Sequence, residues 1–423
     1  MTTHPVTTHE EGPRVRGRGR AARPLVAVVC FTIAVAARLA VGQPAATDFP
    51  TEWTRVEPHE KTLAYRNQLR EGVFEEAERA FLITNALPQL GLPANRPLID
   101  RVRRRMREVL CAESGTDARA LEGALRTTGD FMKALAANEK ADMVVRVNAM
   151  LLVGELRAKG KPWPPAAATL VESLGDPKTP LAIRIAAAAG LSRHVEAGTA
   201  PVTTAGPMLV KLVEAPAAAR STDGDNWLVM RSLGMLAALG AAAPANTAAA
   251  VAKVMNDASR PLDTRVRAVA TLGSSAQPQA GLDANQAVKT IRELAVATLR
   301  NEQETAAGFD PAGGAAGDQS ALSELGCRRA AWRLATLARG LQADDGSGGV
   351  AAIGGGPAAK ELATTLRKAA AQIDAVPEKA TVRAVLADLS GEVAPGNVPG
   401  ERPAEPNQPE PEPATPFANP FGK

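Results

Sequence analysis

Apolar residues recur at helical spacing along most of this chain. Between residues 95 and 111 they follow one another at steps of three, four, three and one, which places them on one stripe of a helix. The members of this stripe are Ile99, Val102, Met106, Val109 and Leu110. A second helical pattern runs over residues 61–86. Aromatic residues make up only 3% of the chain, and alanine is abundant, which favours closely packed helices over strands. The sequence therefore predicts an all-α protein.

From about residue 117 the pattern repeats. Residues 176–191 and 257–272 keep the same residue types in register across 81 residues, or two repeats of about forty. The matched pairs are Asp176 with Asp257, Pro180 with Pro261, and Arg184 with Arg265. We expect the aspartate to end one helix and the proline to start the next, where its missing N–H costs nothing. The arginine follows one turn later.

Further copies of the arginine mark the other repeats. They are Arg146, Arg231, Arg328 and Arg383. The partner helices are predicted at residues 166–174, 207–215, 247–255, 286–299 and 358–373. The last two intervals between arginines are longer because Gly-rich insertions intrude at 306–318 and 340–356.

These helix pairs, with Asp-turn-Pro and "Val/Ile-Arg-x-x-Ala-x-x-x-Leu", resemble HEAT or armadillo repeats, including the bacterial phycobilisome-lyase type. The resemblance implies an α-solenoid of about five to six helix pairs over residues 117–393, preceded by a helical cap at 61–116. In that family the repeated arginine packs between units and bonds the inter-helix turn. The resemblance therefore implies structural roles for Arg146, Arg184, Arg231, Arg265, Arg328, Arg383, Asp176, Asp257, Pro180 and Pro261. A ligand-binding ladder of arginines is the alternative.

The two ends of the chain differ from the repeats. Residues 1–42 combine an arginine-rich start, an apolar stretch at 25–37 and small residues, the pattern of a secretory signal. A cleaved signal peptide, an uncleaved signal-anchor and an incidental apolar run remain open, and the first two place the body outside the cytoplasm, as a periplasmic, secreted or membrane-anchored protein. A spacer follows at 43–60. The tail at 394–423 holds nine prolines and four glutamates, which predicts disorder.

The net charge of +4 comes from the leader. Residues 1–42 hold six of the 49 basic and two of the 45 acidic side chains, so 43 of each remain. A neutral body argues against nucleic-acid binding. Within it, a dense basic run includes Arg101, Arg104 and Arg105, which either meet an anionic partner or form a solvated helix face.

Signatures of catalysis are missing from the sequence. There is no GxSxG, HExxH or GxxxxGK[ST] motif, and His59, His194, Cys111 and Cys327 have no metal-ligand spacing. The two cysteines are either a long-range disulfide or two buried thiols. We therefore expect no catalytic residue, cofactor or metal, and a non-catalytic scaffold that binds a protein or peptide through its helical-repeat surface. The alternatives are an accessory enzyme of the HEAT-like lyase type and a membrane-anchored structural protein of the cell envelope.

Overall fold

The computed structural model describes residues 59–111, 115–215, 223–274, 282–308, 316–342 and 348–390. The predicted leader and tail, and nearly all of the spacer, lie outside them. Within these ranges the protein is all-α, apart from one hairpin of β1 (Arg157–Ala158) and β2 (Lys161–Pro162). None of the helices described is both long and apolar enough to cross a membrane.

The described part of the chain contains fifteen α-helices. They are α1 His59–Arg70, α2 Glu76–Ala80, α3 Ile99–Leu110, α4 Ala118–Ala137, α5 Met143–Val153, α6 Pro164–Gly175, α7 Leu181–Glu196, α8 Val202–Glu214, α9 Asp223–Leu239, α10 Thr247–Asn256, α11 Leu262–Ser274, α12 Ala284–Gly308, α13 Ala316–Leu341, α14 Gly356–Ala375 and α15 Lys379–Ser390. They fall into two compact units. The first comprises residues 1–291 and 336–363, and the second comprises 292–335 and 364–423.

The N-terminal part of the first unit is less regular than predicted. The single helix expected over residues 61–86 is broken, because α1 ends at Arg70 and Gly72 adopts a φ of +80°, which favours glycine. After α2 the chain continues through a π turn and two 3-10 turns, Phe81–Ala86, Leu87–Gly91 and Pro93–Leu98. The buried Tyr65 hydroxyl donates to the Leu110 carbonyl at 3.1 Å and so connects α1 to the end of α3.

Four helix pairs follow in the first unit: α4/α5, α6/α7, α8/α9 and α10/α11. The second helices α5, α7, α9 and α11 pack against one another in chain order, and so do the first helices α6, α8 and α10. Ion pairs join neighbouring first helices, at 2.6 Å between Lys133 and Glu172 and at 2.7 Å between Lys253 and Glu214. Both ion pairs span 39 residues, which is the length of one repeat.

Small residues let the second helices approach closely. A Cβ atom on Gly154, directly after α5, would lie only 2.5 Å from the Cα atom of Gly190 in α7. Near the end of α11, Gly273 is in similar contact with the backbone of Arg339 and Gly340 in α13. Because backbones touch at these points, alanine and glycine fill the core where larger side chains would separate the helices.

Parts of the two predicted insertions are helical. Helix α12 continues to Gly308 and α13 begins at Ala316, so residues 306–308 and 316–318 are helical. Helix α13 also runs on to Leu341, inside the second predicted insertion. The helical spacing of alanine and leucine extends into both segments, and it outweighs the local glycine content.

Candidate functional site

Three of the repeated arginines make the same hydrogen bond. The Nε atoms of Arg146, Arg184 and Arg265 donate to the carbonyl oxygen ten residues earlier. The acceptors are Ala136 at 2.9 Å, Leu174 at 3.1 Å and Met255 at 3.0 Å. Each acceptor is the penultimate residue of a first helix, where carbonyl groups lack an intrahelical donor. The arginine therefore ties the end of each first helix to the second helix of its pair.

The aspartates organise the turns between these helices. Asp176 follows α6 directly and accepts hydrogen bonds from the Lys178 amide at 2.9 Å and the Thr179 hydroxyl at 3.2 Å. Asp257 follows α10 and accepts from the Ser259 amide at 3.0 Å, while its pKa is lowered mainly by the Ser259 hydroxyl. Pro180 and Pro261 each directly precede the second helix rather than beginning it.

The remaining predicted arginines do not share this bond among the described residues. Arg328 pairs with Glu324 of its own helix at 2.8 Å, because it lies near the middle of the 26-residue helix α13 and has no helix end ten residues earlier. Arg383 is exposed on α15. Arg231 has a buried Nε atom without a hydrogen-bond partner and a terminal nitrogen 3.9 Å from Glu196.

The basic run on α3 divides into two faces. Arg101, Arg104 and Arg105 are exposed, and Arg104 lies 3.4 Å from Asp100 on the same helix. Two other arginines of the run turn inwards to Glu155, a carboxylate that is only 10% exposed. Sequence analysis did not find this division, although the two lie four residues apart beside the apolar stripe.

We call the inward group the Glu155 cluster. Arg103 and Arg107 lie 3.4 Å and 3.8 Å from the Glu155 carboxylate. Arg193 on α7 and Arg157 complete the cluster. Burial, the largest effect, lowers the pKa of Arg193, and Glu155 acts in the opposite direction. Two arginines thus lie within 4 Å of one buried carboxylate, and Arg193 feels its charge.

A second arrangement, the Glu302 cluster, lies in the second unit. Arg329 binds both oxygens of Glu302, at 2.7 Å and 2.8 Å, and Arg333 donates to the same carboxylate at 2.7 Å. The Glu302 and Arg333 side chains are only 4% and 6% exposed. Gly326 leaves room for the carboxylate, because a Cβ atom there would lie 3.0 Å from its Oε2 atom. This carboxylate is fully occupied by two arginines.

A third group of arginines lies in the first unit. In the part of the chain that the structure describes, the charged neighbours of the central arginine of this group are arginines and not a carboxylate. We call it the Arg267 cluster, and it comprises Arg231 of α9, Arg267 of α11 and Arg339 of α13. Among the described residues, the charged groups recorded as facing Arg267 are the other two arginines and no carboxylate. Burial and this repulsion lower the pKa of Arg267. The cluster is the strongest candidate binding site on the second helices.

The remaining reactive side chains are buried and inert. His194 is fully buried in the last turn of α7, and desolvation, with Arg193 nearby, lowers its pKa to about 4. The ring is therefore neutral and does not act as a charged helix cap. Cys111 and Cys327 are buried thiols that form no disulfide, and burial raises the pKa of Cys111 to about 11. In the described ranges, no three His, Cys, Asp or Glu side chains come together as metal ligands.

No family model, curated protein or solved structure matches this chain.

Proposed function

We propose that this chain is an extracytoplasmic, non-catalytic scaffold of the HEAT-like α-solenoid type, which binds a protein or peptide partner along its row of second helices. The observation that carries the proposal is the ordered packing of α5, α7, α9 and α11 together with the Arg267 cluster on that row. Stacked helix pairs share a continuous core and offer an extended surface to a partner. The recurring arginine-to-carbonyl bond in three pairs supports this reading of the repeats.

The two rows of helices differ in whether their basic side chains are paired with acidic ones. Lysine and glutamate pair on the first-helix row, at Lys133–Glu172 and Lys253–Glu214. The second-helix row carries arginines that outnumber the carboxylates near them, with Glu196 the acid recorded beside Arg231. Unsatisfied cations favour binding of an anionic group, so the second-helix row is the better candidate for the partner.

An in-register deletion tests the repeat architecture. Removing residues 177–257 joins Asp176 to Ala258 and places Arg265 ten residues after Leu174, so the arginine-to-carbonyl bond can re-form. We expect a chain that stays helical by circular dichroism and unfolds cooperatively, with lower stability because two pairs are lost. Removing residues 177–237 instead leaves α6 without a second helix and serves as the control. An unfolded in-register variant would contradict the proposal.

Site-specific photo-cross-linking tests the binding surface. A photoreactive residue is placed at Ala238 or Ala270 on second helices, and at the exposed Ala168 or Thr204 on first helices. We expect a discrete partner protein from the cell-envelope fraction to cross-link at the second-helix positions. Partner cross-links confined to the first-helix positions would overturn the proposed surface.

Export is tested on the same purified chain. N-terminal sequencing should find a start near Gln43 if the leader is cleaved, or an intact N-terminus in the membrane fraction if it is an anchor. Full-length protein recovered from the cytoplasm alone would contradict an extracytoplasmic scaffold.

A further inference from the structure

We propose that Arg231, Arg267 and Arg339 bind the carboxylates of an extended acidic segment of the partner. The inference rests on the proposed function, because it names the chemistry of the partner at the second-helix row. The three arginines lie on α9, α11 and α13, in that order.

The three arginines lie on helices that touch. Helices α9 and α11 pack together, and α11 meets α13 where Gly273 contacts the backbone of Arg339. The Arg267 guanidinium lies against α9, because a Cβ atom on Gly234 would be 2.8 Å from one of its terminal nitrogens. Gly234 is three residues, or about one helical turn, after Arg231. The guanidinium of Arg267 and the side chain of Arg231 therefore share one stretch of α9.

The hydrogen-bonding capacity of this cluster is underused. The Nε atom of Arg231 is buried without a partner, and the only acid recorded beside Arg231 is Glu196, 3.9 Å away and 64% exposed. Arg339 donates to the Thr336 hydroxyl at 3.4 Å. Arg267 makes no recorded side-chain hydrogen bond to the described residues. Buried polar groups are normally satisfied, so this arrangement favours a bound anion.

The same protein shows which group fits such arginines. In the Glu302 cluster, two arginines converge on a single carboxylate and donate hydrogen bonds to it. Two planar oxygens match the paired N–H groups of a guanidinium. The Arg267 cluster has equivalent donors without a comparable buried carboxylate among the described residues. A carboxylate supplied by another chain is the group that these donors match.

The placement of the arginines specifies the ligand further. The Arg267 guanidinium lies against α9 near Arg231, and α11 contacts the backbone of Arg339. An extended segment that crosses these helices can therefore present more than one carboxylate to the cluster.

Fluorescence anisotropy of a labelled peptide tests the inference on the full chain. The peptide carries glutamates in a serine and alanine background, and a second peptide has glutamine at the same positions. We expect the glutamate peptide to bind more tightly, and Arg267→Met to weaken its binding about tenfold. Gly234→Ala should also weaken it, because the new methyl group displaces the Arg267 guanidinium. Arg126→Met on α4, where Arg126 is exposed and paired with Glu122, is the matched control and should not change affinity.

A further variant addresses acids of the chain itself. Asp344 and Asp345 lie in a segment outside the described residues, so Asp344→Asn with Asp345→Asn is measured in parallel. Peptide binding that is found only in this variant would overturn the inference for the native chain. Equal binding of both peptides, tighter binding of a single-stranded oligonucleotide of equal charge, or unchanged affinity in folded Arg267→Met would overturn it as well.

The two proposals can fail separately. If the acidic peptides do not bind while partner cross-links still form at Ala238 and Ala270, the acidic-segment inference is wrong and the scaffold proposal stands. If cross-links form only on first helices, the proposed surface itself is wrong, whatever the peptides do.

Discussion

The Glu302 cluster and the Arg267 cluster use the same side chain in opposite ways. Around Glu302, two arginines are satisfied by one buried carboxylate within 2.7 to 2.8 Å. Around Arg267, the charged groups recorded are two further arginines. A buried charge is costly unless it is paired, so the first cluster holds its surroundings together and the second leaves binding capacity unused. The comparison indicates that the number of carboxylates beside the arginines, more than the number of arginines, distinguishes a structural site from a binding site.

The repeated arginines are intermediate between the two clusters, because each has a hydrogen-bond acceptor but the acceptor is neutral. Arg146, Arg184 and Arg265 each donate to a neutral carbonyl at the end of a first helix. Burial lowers the pKa of Arg146, but its hydrogen bond satisfies a carbonyl that the helix itself leaves open. Such an arginine contributes to stability modestly and offers little to a ligand.

The largest expected effect comes from removing the charge of Glu302. Glu302→Gln leaves Arg333 buried without its counter-charge, and we expect a loss of about 3 to 5 kcal/mol in the free energy of unfolding. Urea denaturation followed by circular dichroism measures it. Glu324→Gln removes the exposed partner of Arg328 on the same helix and should change stability by less than about 1 kcal/mol. Equal effects of the two variants would erase the distinction between buried and exposed pairs.

A smaller loss is expected at the repeated arginine. Arg146→Met keeps the apolar stem but leaves the Ala136 carbonyl without its donor, which should cost about 1 to 2 kcal/mol. The same denaturation assay applies, with the exposed Arg126→Met as control. A loss as large as that of Glu302→Gln would mean that Arg146 carries more than one neutral hydrogen bond.

The smallest effect should have the opposite sign. Arg267→Met removes one of three like charges that face one another, so we expect the free energy of unfolding to rise by up to about 1 kcal/mol at low salt. The gain should shrink as salt screens the repulsion, and parallel denaturation at low and high salt measures this. Destabilisation by Arg267→Met at both salt concentrations would show that Arg267 is a structural residue like Arg146.

Sequence analysis predicted the all-α fold class and the roles of three repeated arginines at helix ends, but it did not predict the clusters. Asp176, Pro180 and Arg184 act on backbone groups within ten residues, so their spacing alone locates a turn and the start of a helix. The broken helix over residues 61–86 escaped prediction because the break depends on the positive φ of Gly72. The insertion bounds escaped it because helical alanine and leucine continue into glycine-containing segments.

The sequence by itself determined the helices and the turns that pair them. The reason is that apolar periodicity and hydrogen bonds within ten residues involve groups that are close together in the sequence. Only the tertiary structure decided which arginines meet a carboxylate. Arg103 lies beside Glu155, 52 residues later in the sequence, and Arg329 binds Glu302, 27 residues earlier, separations at which no spacing rule applies. The close approach of packed helices brings these groups together, and it leaves Arg267 beside arginines on two neighbouring helices.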